Sequence, residues 1–351
     1  MKDKNILFIG PYSKKPKGGV AFVLHEYEKL YPNSYFVAST ISKNSLTKLY
    51  GFTFGVIELI FLLLTKKEIH IVHIHGASYN SFTRKNIIFK ISKWFNKKTI
   101  YHVHGAEYQL FFEKSNNYKK RKIADLINNA DCIISLSESW KNFFITNFTP
   151  KRVEVIPNII GTPSNISINK SNKGPVNFQF LGYIDKRKGV WLLLETLKEH
   201  RIDLQGKAIF NIAGNGEVDK LQRIINQYQL KEIVHFIGWV SNEEKIKRLQ
   251  EADVYILPSY NEGLPISILE AMSYSLPIIS TYVGGIPEVV IDKLNGLLIE
   301  PGNSNQLLCA IEVMVKNKKF RKTAGSESYK RVQPFFPKMV KKELDKLYNG
   351  L

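Results

Sequence analysis

Short hydrophobic runs alternate with longer segments of helical periodicity from one end of the chain to the other. The runs predict strands at 5–10, 35–39, 69–75, 99–104, 131–136 and 153–156 in the first half, and at 176–181, 208–213, 233–237, 253–257, 277–280 and 296–299 in the second. Several runs lack polar alternation, which is typical of parallel strands covered by helices on both faces. The pattern therefore predicts an α/β protein built from doubly wound parallel sheets.

A polar segment rich in proline, glycine and serine, residues 161–175, separates the two sets of strands. The length of 351 residues suits two domains better than one. We predict Rossmann-like domains at 1–160 and 161–334, facing a central cleft in which ligands bind at the carboxyl ends of the strands. Residues 335–351 are expected to form a helix that crosses back onto the first domain. Four apolar residues of this tail have helical spacing: Phe336, Met339, Leu344 and Leu347.

The net charge of +19 predicts a polyanionic partner, such as phosphate, nucleic acid or an anionic membrane face. Residues 1–160 carry +13 of that charge, and residues 84–122 contain eleven bases and two acids. Apolar residues are interleaved with these bases, so the segment could lie on an anionic leaflet as a basic amphipathic helix. The alternative is a solvated helix face whose apolar side covers the sheet. We favour an anionic membrane surface as the partner and expect no nucleic acid.

Membrane spanning and secretion are both disfavoured. The most hydrophobic segment, residues 52–64, contains Glu58 and spans 13 residues, short of the roughly 20 that a helix needs to cross a bilayer. The first strand is too short for a signal peptide, and two cysteines suit a reducing compartment. Cys132 and Cys309 fall in apolar runs, so we expect both in the core. These features predict a cytoplasmic protein, peripheral on the membrane face.

Residues 261–272 (NEGLPISILEAM) contain the most specific pattern in the chain. They follow a strand, and the proline at 265 suits the first turn of a helix whose N–H groups would accept a phosphate. Glu262 and Glu270 lie eight positions apart, which is ~12 Å along a helix. Glycosidase carboxylates lie about 5–9.5 Å apart, so the spacing favours binding of hydroxyl groups over hydrolysis.

This segment resembles the E-x7-E signature of the retaining GT-B glycosyltransferases of family 4. Further segments match that family in order: 156–158 (IPN), 181–190 (LGYIDKRKGV), 212–216 (IAGNG), 236–240 (FIGWV), 281–288 (TYVGGIPE) and 295–298 (NGLL). In the first half, 18–20 (GGV) and 102–105 (HVHG) match as well. The resemblance covers essentially the whole chain and is strongest over 176–302.

The resemblance implies a role for each matching residue. Glu270 would accept the ribose hydroxyls of a nucleotide, and Glu262 would hold hydroxyls of the donor sugar. Lys188 would neutralise the departing diphosphate, where negative charge grows in the transition state. His104 would bind the donor sugar. The implied catalytic residues are thus Lys188, Glu262 and His104.

The implied donor site is larger and departs from the family pattern in places. Its members are Gly18, Gly19, Arg187, Gly214, Gly238, Trp239, Val240, Gly263, Leu264, Pro265 and Glu270. Tyr183 stands where the family has an arginine, so Arg187 or Lys186 would supply that cation. Ile159 follows Asn158 in place of a glycine. The pair at 284–285 reads either as a tight turn or as a phosphate contact.

No metal is expected. His73 and His75 share one face of a strand by period two, as do His102 and His104. No cysteine or acid has a spacing that would complete a zinc site with them. The D-x-D pair used by metal-dependent nucleotide-sugar transferases is absent from the sequence. We therefore expect no cofactor besides the donor substrate.

Together these observations predict a retaining, metal-independent transferase. It would move a hexose or N-acetylhexosamine from a nucleoside diphosphate sugar, with a UDP-sugar favoured, to a saccharide or lipid-linked saccharide in cell-surface polysaccharide synthesis. A nucleotide-sugar epimerase of the same fold is the alternative, and a nucleic-acid-binding protein is a more distant one.

Overall fold

The computed structural model describes residues 5–12, 18–40, 45–163 and 174–351. The chain divides into two compact units. Unit 1 consists of Met1–Gly161 and Phe335–Leu351, and unit 2 consists of Thr162–Pro334. Most of the predicted linker, residues 164–173, lies outside the described residues.

Unit 1 is built on a parallel sheet. Its described strands are β1 (Ile6–Pro11), β2 (Tyr35–Thr40), β3 (Ile71–Gly76), β4 (Lys98–Val103), β5 (Cys132–Ser135) and β6 (Val153–Val155). Its described helices are α1 (Gly19–Leu30), α2 (Ser45–Thr65), α3 (Asn80–Trp94), α4 (Tyr108–Glu113), α5 (Asn117–Asn129), α6 (Glu138–Asn147) and α15 (Pro337–Asn349). The strand order is β2-β1-β3-β4-β5-β6, and every pairing is parallel.

The two faces of this sheet carry separate layers of helices, as the alternation along β1 shows. Leu7 and Ile9 belong to the hydrophobic cluster that includes residues of α2, α3 and α5. Phe8, between them, points the other way and packs against Tyr27 and Tyr31 near α1 and against Tyr348 of α15. Burial on both faces explains why the strand has no polar alternation.

The C-terminal helix packs on unit 1. The hydroxyl of Tyr348 lies 2.8 Å from Nδ1 of His73, and the hydroxyl of Tyr31 donates to Asp345 at 2.8 Å. Val340, Leu344 and Leu347 are buried there, and Phe336 is buried just before the helix. Met339, predicted to share the buried face, is 44% exposed.

Unit 2 contains a second parallel sheet. Its described strands are β7 (Val176–Leu181), β8 (Ala208–Ala213), β9 (Val234–Gly238), β10 (Val254–Ile256), β11 (Ile278–Thr281) and β12 (Gly296–Ile299). Its described helices are α7 (Val190–Glu199), α8 (Arg201–Leu204), α9 (Val218–Gln227), α10 (Asn242–Glu251), α11 (Ile266–Ser273), α12 (Ile286–Val289), α13 (Ser304–Lys316) and α14 (Lys318–Val332), followed by a 3-10 turn at Gln333–Phe335.

The order in this sheet is β12-β11-β10-β7-β8-β9. The direction of winding therefore reverses between β7 and β10, which is the point where open α/β sheets bind ligands. The loops after β7, β8 and β10 all leave from this edge. The predicted fold class, two Rossmann-like parallel sheets of the GT-B type, is confirmed, and every predicted strand is present with its ends shifted by at most two residues.

The basic segment 84–122 folds as parts of α3, α4 and α5 with β4 between them. Ile88, Phe89 and Phe111 are buried in the core, so much of the apolar side of these helices covers the sheet. Ile87 and Trp94 are exposed. Among the described residues, no helix has the length and apolar character needed to cross a membrane. Cys132 is buried as expected, whereas Cys309, also expected in the core, is exposed.

Candidate functional site

The carboxylate of Glu262 is the centre of a buried polar cluster in unit 2. Glu262 follows β10 and is only 5% exposed. Its Oε1 accepts from Nζ of Lys188 at 2.6 Å and from the hydroxyl of Ser259 at 2.8 Å. Its Oε2 lies 3.5 Å from Nη1 of Arg187. A buried carboxylate requires such partners, so these contacts fix its position.

The loop after β7 brings both cations to this carboxylate. The Lys188 N–H donates to Oδ1 of Asp185 at 2.9 Å, and Arg187 donates to the carbonyl of Asn261 at 3.1 Å. Gly189 has a φ of +73°, and a Cβ there would lie 1.8 Å from the carbonyl oxygen of Pro258. Only glycine permits this approach of the two loops. The structure thus brings together the predicted residues Lys188, Arg187 and Glu262.

The loop after β10 leads into α11, the helix predicted near Pro265. The helix begins one residue later than that, at Ile266, and Pro265 is its N-cap, with its carbonyl accepting from the N–H groups of Ile268 and Leu269. The side chain of Pro265 makes no capping hydrogen bond. Gly263, Leu264 and Pro265 are all buried. A helix N-terminus beside Lys188 and Arg187 has the chemistry of an anion site.

Gly284 lies against this same loop. Its φ is +54°, and a Cβ on it would lie 1.9 Å from the carbonyl oxygen of Glu262. The N–H of Gly285 donates to the carbonyl of Gly263 at 2.6 Å. The hydroxyl of Thr281 also reaches across, donating to the carbonyl of Ser259 at 2.7 Å. The glycine pair at 284–285 therefore supports the main chain that presents Glu262.

Glu270, inside α11, is paired with a residue that the sequence did not suggest. Its Oε1 accepts a hydrogen bond from Nζ of Lys245 on α10. The Glu270 side chain is 13% exposed and that of Lys245 is 21% exposed, so the pair is accessible at its rim. Twenty-five residues separate the two in sequence, and no local pattern connects them.

Four predicted residues lie at the ends of β8 and β9: Gly214, Gly238, Trp239 and Val240. A Cβ on Gly214 would lie 1.7 Å from the carbonyl oxygen of Gly182, and the Gly214 N–H donates to the carbonyl of Gly238 at 2.9 Å. Gly238 has a φ of +88° and open space around it. Trp239 is 60% exposed, and Val240 is half-buried. These residues form a rim with an exposed aromatic ring available for stacking.

The other predicted residues belong to unit 1. Gly18, with a φ of +99°, is the N-cap of α1, and Gly19 is the first residue of that helix. Both are exposed. His104 follows β4, where its N–H donates to the carbonyl of Gly76 at 2.9 Å. Its Nε2 lies 2.9 Å from Nδ1 of His75.

The four histidines of β3 and β4 form one packed group. His75 lies opposite His102 in the β3–β4 register, and Nε2 of His73 lies 3.2 Å from Nδ1 of His102. Burial lowers the pKa of His73, His75 and His102 well below the ordinary value of 6.5. Burial also lowers the pKa of His104 to about 3, against a hydrogen bond with Asn158 that raises it. All four rings are therefore neutral at pH 7.

Neutral imidazoles can ligate a metal ion, and three of these rings lie close enough together to share one. One ligand atom each from His73, His75 and His102 lies within 4.8 Å of the others. However, Nε2 of His73 and Nδ1 of His102 bond to each other, so these two nitrogens already have partners. Within the part of the chain that the structure describes, this group holds three neutral imidazoles and no carboxylate, so the charge of a dication would be uncompensated, which is a poor fit.

Family models and known proteins give an independent view of the chain. The model of glycosyl transferases group 1 matches residues 162–331, and the model of glycosyltransferase family 4 matches residues 20–162. An uncharacterized 41.2 kDa protein in the cps region of Klebsiella pneumoniae is 26% identical over 323 residues, which are 85% of this chain and 86% of the relative. The putative colanic acid biosynthesis glycosyltransferase WcaL of Salmonella typhimurium is 28% identical over 53% of this chain and 47% of its own.

The fold is shared with solved structures. The structure of HepE of Anabaena with UDP is similar to this chain, with a TM-score of 0.79 and 18% identity over 100% of both chains. The structure of HepE with UDP-glucose has a TM-score of 0.78 and covers 99% of both chains. The two family models together span nearly all of the described sequence, and the matched segment 162–331 contains Lys188, Glu262 and Glu270. The chain therefore belongs to the group 1 glycosyltransferases.

Proposed function

We propose that this protein is a retaining, metal-independent glycosyltransferase that uses a UDP-sugar. It moves a hexose or an N-acetylhexosamine to a saccharide or a lipid-linked saccharide during the synthesis of a cell-surface polysaccharide. The observation that carries this proposal is the buried contact between Lys188 and Glu262, beside Arg187 and the start of α11. Two cations beside the N-terminus of a helix suit a diphosphate.

Different residues of unit 2 bind different parts of the donor. Lys188 neutralises the diphosphate. Glu262 binds hydroxyls of the sugar, helped by the main-chain N–H groups of Gly263 and Leu264, and Glu270 accepts the ribose hydroxyls. Gly238, Trp239 and Val240 line the pocket for the base. In unit 1, His104 binds the donor sugar, and Gly18 and Gly19 let the backbone approach the phosphate or the acceptor closely.

The reaction requires no nucleophile from the protein. The acceptor oxygen forms its bond to the anomeric carbon on the face that the diphosphate leaves, so the configuration is retained. The departing phosphate oxygen takes the proton of the acceptor hydroxyl. Lys188 stabilises the negative charge that grows on that oxygen, as fixed charges do in a water-poor site.

Names of related proteins support the choice of donor and pathway. HepE, of the same fold, was crystallised with UDP and UDP-glucose, and WcaL carries a name from colanic acid biosynthesis. The basic helices of segment 84–122 support an acceptor at the anionic, cytoplasmic face of a membrane. For this chain, the UDP-sugar donor and the membrane-linked acceptor are both part of our proposal.

A thermal-shift screen tests the donor. The protein is heated with UDP-, GDP-, ADP- and dTDP-sugars, because a ligand that binds only the folded state raises the melting temperature. We expect the UDP-sugars to give the largest shift. No shift with any of the four classes would contradict the proposal.

The same samples separate a transferase from an epimerase. Donor incubated without acceptor should give no epimer, whereas an epimerase would convert it. The anomeric proton coupling of the transfer product should show the same anomeric configuration as that of the donor sugar. A nucleic-acid-binding protein would instead show a steep salt-dependent shift of DNA, which we do not expect.

A further inference from the structure

Helix α2 is attached to the sheet of unit 1 by one narrow face. Gly51, Gly55, Leu59 and Leu63, spaced four residues apart, are its regularly buried positions. A Cβ on Gly55 would lie 2.5 Å from the carbonyl oxygen of Ala38 in β2, so helix and strand touch through their backbones. This face is fully occupied, and the helix lies along the sheet.

The opposite face of α2 is apolar and exposed. Its large side chains have exposed fractions between 59% and 68% and recur every three or four residues: Tyr50, Phe54, Ile57, Phe61 and Leu64. We call these five residues the α2 stripe. A surface helix ordinarily turns polar residues outward, and a contiguous exposed apolar patch marks an interaction site.

Basic groups border the α2 stripe. Lys66 and Lys67 follow the helix directly. The neighbouring helix α3 contacts α2, and its outward positions include Ile87, Lys90 and Trp94, with Trp94 78% exposed. Exposed apolar side chains, a tryptophan and lysines on one helical layer are the composition of a membrane-interface surface.

The charge decides between a bilayer and a second copy of the chain. Two copies meeting through the α2 stripe would bring together two basic surfaces of a segment, 1–160, that carries +13. An anionic lipid surface offers the opposite sign. Glu58 is the one acid of α2, and partial burial already raises its pKa, which lowers the cost of placing it near lipid.

We infer that the α2 stripe inserts into the interface of an anionic bilayer while Lys66, Lys67 and the exposed Lys90 of α3 meet the lipid headgroups. The inference rests on the proposed membrane-linked acceptor, and it places the docking element in α2 beside the basic segment 84–122. It makes α2 an element that lies in the interface and holds the enzyme at the surface.

Flotation with vesicles tests the stripe. Wild-type protein should float with phosphatidylcholine vesicles that contain phosphatidylglycerol. The double variant Phe54→Ser/Phe61→Ser should have a vesicle partition coefficient at least about tenfold lower, because two exposed aromatic rings no longer enter the lipid. The matched control, Ile202→Ser/Met339→Ser, removes two exposed apolar residues elsewhere and should float like wild type. Equal flotation of both variants would overturn the inference.

A second pair of variants tests the charge. Lys66→Glu/Lys67→Glu should lower recovery on anionic vesicles several-fold, whereas the adjacent pair Lys318→Glu/Lys319→Glu, exposed on unit 2, should not. Recovery that is equal on neutral and anionic vesicles would contradict the charge argument. If the wild-type protein is a dimer and Phe54→Ser/Phe61→Ser is a monomer, the stripe binds a second copy of the chain, and the inference is overturned.

The thermal shift with UDP-sugar separates this inference from the proposed function. Phe54→Ser/Phe61→Ser should keep the wild-type shift, because α2 lies in unit 1 and the proposed diphosphate residues lie in unit 2. Donor binding without flotation refutes the docking surface alone. Flotation without binding of any nucleotide sugar refutes the proposed function alone.

Discussion

Nζ of Lys188 lies 2.6 Å from Oε1 of Glu262, in an ion pair whose side chains are 13% and 6% exposed. Arg187 and Ser259 complete the environment of the same carboxylate. The pair therefore holds both groups in place before any substrate arrives. A diphosphate reaching Lys188 joins an ordered site, so little side-chain freedom is lost on binding.

The support that Gly284 gives to the Glu262 loop can be measured with one methyl group. Gly284→Ala places a Cβ at positive φ and 1.9 Å from the Glu262 carbonyl, so we expect a loss of roughly 2 kcal/mol or more in unfolding free energy and a loss of donor binding. Gly206→Ala is the control, since Gly206 has a φ of +70° and nothing within 4 Å of its Cβ. It should cost only about 1 kcal/mol. Equal losses in denaturant titrations would contradict this account of the loop.

Glu270 should recognise ribose hydroxyls. In wild-type protein, UDP should bind better than 2′,3′-dideoxy-UDP. Glu270→Gln should weaken UDP binding about tenfold and remove most of that preference, whereas Glu288→Gln, exposed in the same unit, should leave it intact. A preference that survives in Glu270→Gln would show that another residue holds the ribose.

The buried histidines should make stability fall as the pH is lowered. Burial lowers the pKa of His102 well below 6.5, so the unfolded chain takes up a proton there that the folded chain refuses. The stability is complete above about pH 6.5 and is lost below it, by about 1.4 kcal/mol per pH unit for each such histidine. Between pH 6.5 and 5, His102→Thr should therefore take up about one proton fewer on unfolding, so its unfolding free energy falls less steeply with pH.

Denaturant titrations at several pH values measure that slope. His235→Gln is the control, because His235 is exposed on β9 and its replacement should keep the wild-type slope. The same slope in His102→Thr as in wild type would contradict the burial argument.

Chelation should have no effect on the enzyme. Among the described residues, the group of His73, His75 and His102 contains no carboxylate, which disfavours a dication. Protein dialysed against EDTA should keep its melting temperature and its activity. Bound metal found by elemental analysis, together with activity lost on chelation and restored by that metal, would refute metal independence.

The strands were predictable because their hydrophobic runs are continuous. Parallel strands that are buried on both faces, such as β7 and β8, can be recognised from their own sequence without knowing which strands they pair with. The family-like segments likewise indicated Lys188 and Glu262. Met339 shows the limit: helical spacing placed it on the buried face, yet the helix is rotated so that Val340 takes that position.

Other features depend on contacts between distant residues. Nothing in the neighbourhood of Glu270 indicates Lys245, and nothing near Glu262 indicates Ser259 as its donor. The face of α2 that packs on β2 includes Gly55, whereas the exposed face includes Phe54. Hydropathy alone assigns the two faces the wrong way round, because a close backbone approach selects glycine.

Calorimetric titration of UDP and uridine tests the central claim, a diphosphate site at Lys188, most directly. Lys188→Gln should weaken UDP binding by at least about tenfold, since a charged contact to phosphate is lost, and should leave uridine binding unchanged. Lys322→Gln, exposed on α14, should bind both ligands like wild type. Equal affinity of wild type and Lys188→Gln for UDP would contradict the account.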